Sequence, residues 1–285
     1  MNKKIGIIDV GGGMKGIYGA GIFDGLLDRN IEIPYCIGIS AGSANVASYI
    51  AKQKGRNKVF YEEYSQEKNY MSLHNLRTKG SFIDLDYVYG TLSNDGGKYP
   101  WDYDSAMKSS QEMVTVMSNA QTGEAEYFYK KETIRNDYGM LKASSCIPVA
   151  CKAYSWHGND YYDGSLTDPM PVEKAFEDGC EKVILVLTRP IDYRKKTGKD
   201  SVLYKYLKKK YPNMVPKMYD RCNLYNRSLD NIIEKYLPTG KVFIVAPDDT
   251  CGVETLKNKS ENLEKLYQKG YSDSKKIEDF IKKIN

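Results

Sequence analysis

Apolar runs alternate with helix-spaced apolar positions over the first 55 residues of the chain. Residues 4–10 form an apolar run of strand length that stops at three glycines, and residues 17–27 carry apolar side chains near helical spacing. A second apolar run at 35–40 is followed by a helix-compatible segment at 41–54. A strand, a turn and a helix, repeated twice, predict a parallel sheet covered by helices.

The remainder of the chain continues this α/β pattern. Two antiparallel hairpins are predicted, at 112–130 with its turn at Gly123 and at 148–164 with its turn at 157–160. The other predicted elements are helices at 138–147 and 170–179, buried strands at 182–188 and 241–247, a basic helical stretch at 189–219 and terminal helices from residue 260. The expected fold is a three-layer α/β sandwich with a mostly parallel central sheet.

The domain organisation follows from what interrupts the pattern. Residues 56–105 are polar, rich in tyrosine and broken by Gly and Pro, so they predict an insertion or lid that lines or covers a cleft. Neither repeats nor a long low-complexity linker occur in the sequence. We therefore expect one domain over 1–285, with a motif-bearing core at about 4–190 and a basic helical part at about 190–285.

Composition and charge exclude several classes of function. The chain has 41% hydrophobic residues and a net charge of +5, and its six cysteines form neither a CxxC pair nor a metal-like spacing. The apolar start breaks at Asp9, too early for a signal peptide, so a cytoplasmic protein with free thiols is expected. No pattern of a nucleic-acid-binding module is present, the oligomeric state stays open, and neither a metal nor an organic cofactor is implied.

Peripheral contact with an anionic membrane is a further expectation, because basic residues cluster after residue 190. A solvated helix face explains the same lysines equally well. The cluster comprises Arg194, Lys195, Lys196, Lys208, Lys209 and Lys210.

The stretch "IPYCIGISAGSANVASYI" at 33–50 carries no charge in a chain that is 28% charged. Pro34, Asn45 and several serines and glycines interrupt it, so it predicts a buried segment rather than a membrane span. At its centre Gly38 and Gly42 flank Ser40 between the predicted strand and helix. This Gly-x-Ser-x-Gly pattern is typical of a nucleophile elbow, in which small residues permit a sharp turn. A tight structural turn is the competing interpretation.

Neither histidine of the chain is a good candidate for the base that would activate Ser40. The chain has two histidines, His74 in the insertion and His157 in a predicted turn, and neither follows the order of an α/β-hydrolase triad. If Ser40 is catalytic, we expect its partner to be a carboxylate.

A glycine cluster directly after the first strand offers a site for an anion. Gly11, Gly12 and Gly13 can turn consecutive backbone N–H groups toward one point, and Lys15 adds a positive charge nearby. An oxyanion hole needs this geometry. The same glycines also match a dinucleotide-binding loop with Gly16, although no acidic residue is well placed about 20 residues later.

These residues resemble the patatin-like phospholipase family in its bacterial form. "GGGMKG" at 11–16 is similar to its oxyanion motif, "GISAG" at 38–42 to its nucleophile elbow, and "DGS" at 163–165 to its aspartate motif. The resemblance implies Ser40 as nucleophile, Asp163 as base with Gly164 as support, and the glycine loop with Lys15 as oxyanion site. It covers about residues 4–190. Val10 and Lys15 depart from the common pattern.

The resemblance implies a serine hydrolase that cleaves a lipid ester through an acyl-enzyme. Three alternatives remain at this stage. A soluble carboxylesterase or thioesterase, or an acyltransferase, would use the same serine and aspartate, whereas a non-enzymatic anion- or nucleotide-binding module would use the glycine loop alone.

Overall fold

A central sheet organises the fold of the chain, for which a computed structural model describes residues 4–196, 204–205, 207–256 and 259–284. Eight strands form this sheet in the spatial order β5-β6-β3-β2-β1-β7-β8, with β4 also paired to β3. The pairs among β3, β2, β1, β7 and β8 are parallel, and the remaining pairs are antiparallel. The strands are β1 (Ile5–Asp9), β2 (Tyr35–Ile39), β3 (Glu112–Asn119), β4 (Ala125–Tyr129), β5 (Tyr154–Trp156), β6 (Asn159–Asp163), β7 (Lys182–Val186) and β8 (Val242–Val245).

Helices cover both faces of the sheet. They are α1 (Ile17–Asp28), α2 (Ala41–Ile50), α3 (Arg56–Glu62), α4 (Leu73–Lys79), α5 (Tyr103–Lys108), α6 (Gly139–Ser144), α7 (Val172–Glu177), α8 (Met214–Asn231) and α9 (Ser260–Ile284). A short 3-10 helix at Gly13–Gly16 leads into α1, and π-helical turns lie at Tyr87–Leu92 and Ile232–Tyr236.

Alternation along the strands divides the core into two layers. Ile7 and Ile8 are adjacent in β1 and fully buried, but Ile7 packs in the core beneath α1, α2 and α9 while Ile8 packs beneath α7 and α8. Successive side chains of a strand point to opposite faces, so a sheet covered on both sides has apolar runs instead of alternating ones. The predicted three-layer α/β sandwich is thus confirmed.

Glycine allows α1 and α9 to pack closely. A Cβ atom at Gly21 would lie 2.2 Å from the carbonyl oxygen of Tyr267, and one at Gly270 would lie 2.0 Å from that of Tyr18. The C-terminal segment forms a single long helix, α9, whereas the sequence predicts several terminal helices.

Two predictions need correction. The strand expected from residue 148 begins at Tyr154, because Val149 takes a positive φ of 72° and Pro148 has no N–H to donate to a ladder. Within the helical stretch expected at 189–219, residues 191–196 are irregular after Pro190, residues 204, 205 and 207 have 3-10 conformation, and the α-helix begins only at Met214. The part of that prediction at 197–203 and 206 lies outside the described residues.

Candidate active site

Ser40 occupies a strained turn between β2 and α2. Its backbone has φ 55° and ψ −130°, a region that non-glycine residues rarely adopt and that is found at nucleophile elbows. The flanking glycines are required by close approach, since a Cβ atom at Gly38 would lie 2.4 Å from Ser43 Cα and one at Gly42 2.3 Å from the carbonyl oxygen of Asp9. The turn therefore presents the Ser40 side chain at the carboxyl end of the sheet.

Hydrogen bonds from two other serines hold this turn. Ser144, at the end of α6, accepts the Ser40 N–H through its Oγ at 2.9 Å and donates to the carbonyl oxygen of Val116 at 2.7 Å. Ser43 Oγ donates to the Ser40 carbonyl oxygen at 2.6 Å. Sequence reasoning missed Ser144, which lies 104 residues away in a helix with no motif to single it out.

Asp163 ends β6 beside the Ser40 side chain, with which its carboxyl group interacts. The aspartate is buried, and its Oδ1 accepts the N–H of Ser165 at 2.9 Å. Burial raises the pKa of the Asp163 carboxyl, while the interactions with Ser40 and Ser165 oppose that rise. A Cβ atom at Gly164 would lie 2.3 Å from the carbonyl oxygen of Val116, so only glycine lets this turn approach β3.

The glycine loop lies against the elbow. Gly11, Gly12 and Gly13 have φ values of 65°, 128° and 61°, which orient successive peptide groups as in an anion nest. The Gly11 N–H donates to Asp9 Oδ1 at 2.9 Å and is therefore occupied. The N–H groups of Gly12 and Gly13 have no hydrogen-bond partner among the described residues, and both glycines line a cavity shared with Ser40 and Asp163.

Asp9, the last residue of β1, supports both the glycine loop and the nucleophile elbow. It is fully buried, and Asn45 Nδ2 donates to Asp9 Oδ2 at 2.8 Å and to the carbonyl oxygen of Gly16 at the same distance. Burial raises the pKa of Asp9 to about 6, although the bonds from Asn45 and Gly11 oppose the shift. Sequence reasoning noted Asp9 near the glycines but not this role, and it missed Asn45.

Lys15 anchors the loop to the C-terminal part of the chain. Its buried ammonium group donates to Thr255 Oγ1 at 3.3 Å, and the Met14 N–H donates to the Thr255 carbonyl oxygen at 3.1 Å. Burial, and secondly the charge of Arg189, lower the pKa of Lys15 to about 8. Lys15 thus holds the loop in place, and it lies outside the lining of the cavity at Ser40.

Two cavities of different chemistry meet at Ser40. The first, called here the apolar cavity, lies beneath the insertion at 56–105, and its lining includes Met14, Phe60, Tyr61, Tyr70, Ile83 and Val88. The second, called here the basic cavity, has a volume of about 360 Å³ and also reaches Asp163 and the glycine loop. Its cationic lining residues are Arg189, Lys195, Lys196 and Arg221.

Lys195 therefore lines the basic cavity, whereas the sequence predicts an exposed residue, either in contact with a membrane or on a solvated helix face. Lys208 and Lys209 are exposed, and Lys210 pairs with Asp160 at 3.3 Å. Peripheral contact with an anionic membrane through such residues stays a prediction. Of the described residues, no helix is both long and apolar enough to cross a bilayer.

Both histidines lie apart from this site. His74 is exposed on α4, and His157 is exposed in the β5–β6 turn, where it stacks on Trp156. Neither lines the apolar or the basic cavity. Within the described ranges there is also no cluster of three or more His, Cys, Asp or Glu residues able to hold a metal ion.

Comparison with known proteins identifies the family. The sequence model of the patatin-like phospholipase family matches residues 10–176, which is more than half of the chain, and the protein belongs to this family. This range contains the glycine loop, Ser40 and Asp163. A second model, a domain of unknown function (DUF6363), matches residues 211–284.

Individual proteins are also similar to the chain. The uncharacterized protein YjjU of Escherichia coli (strain K12) is 25% identical over 192 residues, which are 66% of this chain and 52% of that protein. The chain thus spans about half the length of this curated relative. The crystal structure of VipD from Legionella pneumophila superposes with a TM-score of 0.50 at 13% identity, covering 97% of this chain and 67% of that chain. This likeness supports a common fold.

Proposed function

We propose that the protein is a serine lipid acyl hydrolase, in which Ser40 attacks a carboxylic ester and Asp163 acts as the base. The observation that carries the proposal is the meeting of four features at one point: a strained serine, a buried carboxyl group interacting with it, two amides without a partner among the described residues, and an apolar cavity. Family membership supports lipid acyl hydrolysis as the class of activity.

The first half of the reaction forms an acyl-enzyme. Ser40 Oγ attacks the carbonyl carbon of the ester, and its proton passes to the Asp163 carboxylate. The oxyanion that develops accepts hydrogen bonds from the N–H groups of Gly12 and Gly13. When the carbon–oxygen bond to the alcohol breaks, the departing alkoxide takes the proton from Asp163, and the acyl group remains on Ser40.

Water completes the cycle by the same steps in reverse order. It attacks the acyl carbon and gives its proton to Asp163, the glycine amides again hold the oxyanion, and Ser40 Oγ leaves with that proton. Because a carboxylate is a weak base for an alcohol, positioning and the oxyanion site supply most of the acceleration. The strained turn fixes Ser40 in the attacking position.

The acyl chain of the substrate is assigned to the apolar cavity. Aromatic and aliphatic side chains from the insertion line it, and it ends at Ser40. Removing a hydrocarbon chain from water is favoured by roughly 0.8 kcal/mol for each CH₂ group buried. An acyl chain of several carbons therefore gains enough free energy to bind here.

Labelling of the serine tests the proposal. The folded wild-type protein and the Ser40→Ala variant are treated with a fluorophosphonate and weighed intact, with Ser272→Ala, an exposed serine of α9, as the matched control. We expect one phosphonyl adduct on the wild type and on Ser272→Ala, and none on Ser40→Ala. An unmodified wild-type protein that also fails to cleave p-nitrophenyl butyrate would overturn the proposal and favour a binding module.

A further inference from the structure

Four cationic side chains line the basic cavity, and three of them, Arg189, Lys195 and Arg221, carry the argument below. Arg189 follows β7, Lys195 lies in the irregular segment after it, and Arg221 belongs to α8. All three lie outside the residues matched by the patatin-like family model. The positive charge of this cavity thus comes from a part of the chain that the family model does not match.

The cations of the basic cavity exceed its acidic groups. Asp163 is the one carboxylate among the described residues that line it. Arg189 lies over the ring of Tyr193 at 4.3 Å and Lys195 over the ring of Tyr225 at 4.2 Å, and neither makes a salt bridge with a described residue. These two side chains are thus held in position by aromatic rings while their charge stays available to a ligand.

Arg221 is oriented by neighbouring side chains of the cavity. Its Nε donates to the Tyr204 hydroxyl at 2.9 Å, and its Nη1 donates to Cys222 Sγ at 3.2 Å. Burial lowers the pKa of the Lys195 ammonium to about 8, with Arg189 and Arg221 contributing in the same direction and Asp163 opposing. Mutual repulsion of this kind is relieved when an anion binds among the cations.

The chemistry of the cluster favours a phosphate. Guanidinium groups present donors in a planar fork that matches phosphate oxygens, and an ammonium group adds a compact point charge. A cavity of about 360 Å³ has room for a phosphate together with the short alcohol that carries it. A quaternary ammonium attached to the same phosphate would be repelled by these like charges.

Ser40 lies at the junction of the two cavities, which fixes the orientation of an ester bound across it. We propose that the alcohol side of the substrate carries an anionic phosphate bound by Arg189, Lys195 and Arg221, so that the enzyme prefers net-anionic phosphate esters to zwitterionic ones. This inference rests on the proposed hydrolase activity. The cleaved alcohol then departs through the basic cavity with the proton from Asp163 and with its phosphate intact.

Monomeric substrates distinguish binding in the basic cavity from general electrostatic attraction to a charged membrane surface. The experiment compares kcat/KM for dihexanoyl-phosphatidylglycerol and dihexanoyl-phosphatidylcholine below their micellar concentrations. We expect wild-type protein to prefer the anionic ester by about tenfold or more, which corresponds to one charge-assisted contact. The Arg189→Gln variant should lose most of this ratio. Arg227→Gln, which removes one exposed charge from α8 beyond the cavity, is the matched control and should keep it.

A binding measurement tests the phosphate site even if the Arg189→Gln variant folds poorly. Titration of the Ser40→Ala protein with sn-glycerol 3-phosphate should show saturable binding that the added substitution Arg189→Gln weakens about tenfold. Hydrolysis of hexanoyl-coenzyme A in preference to either phospholipid would assign the phosphate to a soluble carrier rather than a lipid headgroup.

Different results would overturn the phosphate site and the hydrolase activity. A wild-type protein that is labelled at Ser40 and cleaves both phospholipids equally, without binding glycerol phosphate, would overturn the phosphate site and leave the hydrolase intact. Absence of labelling together with absence of ester cleavage would overturn the hydrolase, and with it the assignment of a leaving group.

Discussion

The backbone N–H of Ser40 donates to Ser144 Oγ at 2.9 Å, across 104 residues of sequence. Ser144 in turn donates to the carbonyl oxygen of Val116, so a single hydroxyl links the nucleophile turn to α6 and to strand β3. A strained turn persists only when its surroundings fix it. This bond is one of the restraints that keep Ser40 at φ 55°.

Replacing Ser144 by alanine tests this restraint. The substitution leaves the buried Ser40 N–H without an acceptor, which costs about 1–3 kcal/mol of stability. We expect kcat to fall by about tenfold, because the turn relaxes, while KM for a short ester changes little, because the apolar cavity is untouched. Steady-state kinetics well below the unfolding temperature measure this. The control is Ser272→Ala, and an unaltered kcat in Ser144→Ala would show that the turn holds without the bond.

The pH dependence of the reaction should report Asp163. The base must be ionised to accept the Ser40 proton, so kcat/KM rises with pH through the pKa of this carboxyl group. Burial places that pKa above the ordinary range of an aspartate. The acid limb of the profile should therefore lie at a higher pH than that of a solvent-exposed carboxylate.

The Asp163→Asn variant removes the base while nearly preserving its shape. We expect a loss of about 10²- to 10⁴-fold in kcat, the usual contribution of a general base. The residual rate should also lack the acid limb of the wild type. A profile in the variant that keeps the same limb would assign the titration to another group, and Asp9 would be the next candidate because its pKa is also raised.

The residues that sequence reasoning found without the family resemblance share one property, a local turn that admits few residue types. Gly38, Ser40 and Gly42 occur at fixed spacing because a sharp turn between a strand and a helix admits few residue types. The glycine loop is equally local, since three consecutive positive φ values require glycine. Asp163 has no such local signature, and only its similarity to the family motif singled it out.

The residues that sequence reasoning missed act over long distances. Ser144 contacts Ser40 from another helix, and Asn45 reaches Asp9 from α2. An isolated serine or asparagine within an apolar helical pattern carries no signal for such a contact. The basic neighbours of Lys195 in the sequence predict an exposed basic surface, whereas Pro190 ends the regular pattern and the chain turns into the cavity.

Gly12 offers a test of the oxyanion site. An alanine there would have to adopt φ 128°, and its Cβ would lie 2.7 Å from Thr188 Oγ1. The loop must shift, and the N–H of residue 12 would turn away from Ser40. We expect Gly12→Ala to lower kcat by about 10²- to 10³-fold, as loss of one oxyanion donor does.

The control for Gly12→Ala is Gly96→Ala. Gly96 has φ 81° and open space around its Cβ position, so the variant tests backbone strain alone, away from the cavity. Both variants are compared by thermal unfolding and by kcat on p-nitrophenyl butyrate. Equal losses of activity at equal losses of stability would mean that Gly12 is needed for folding and not for the oxyanion.

Asp9 should make the stability of the fold depend on pH. Its folded pKa of about 6 lies above the value of 3.8 that an aspartate has in an unfolded chain, so the folded state binds the proton more tightly than the unfolded state. The stabilisation is present in full below the unfolded pKa and is lost as pH rises through the folded pKa. From these two values, the contribution of Asp9 to the free energy of unfolding should fall by roughly 1 kcal/mol between about pH 5 and pH 7.

Asp9→Asn removes this ionisation, and its amide oxygen can still accept one of the two bonds from Gly11 and Asn45. Urea unfolding of both proteins at several pH values gives the difference in their free energies of unfolding, in which the other titrating groups cancel. We expect the wild type to lose stability relative to the variant as pH rises from 5 to 7. A difference that stays constant over this range would show that Asp9 titrates with an ordinary pKa, and that its hydrogen bonds outweigh the effect of burial.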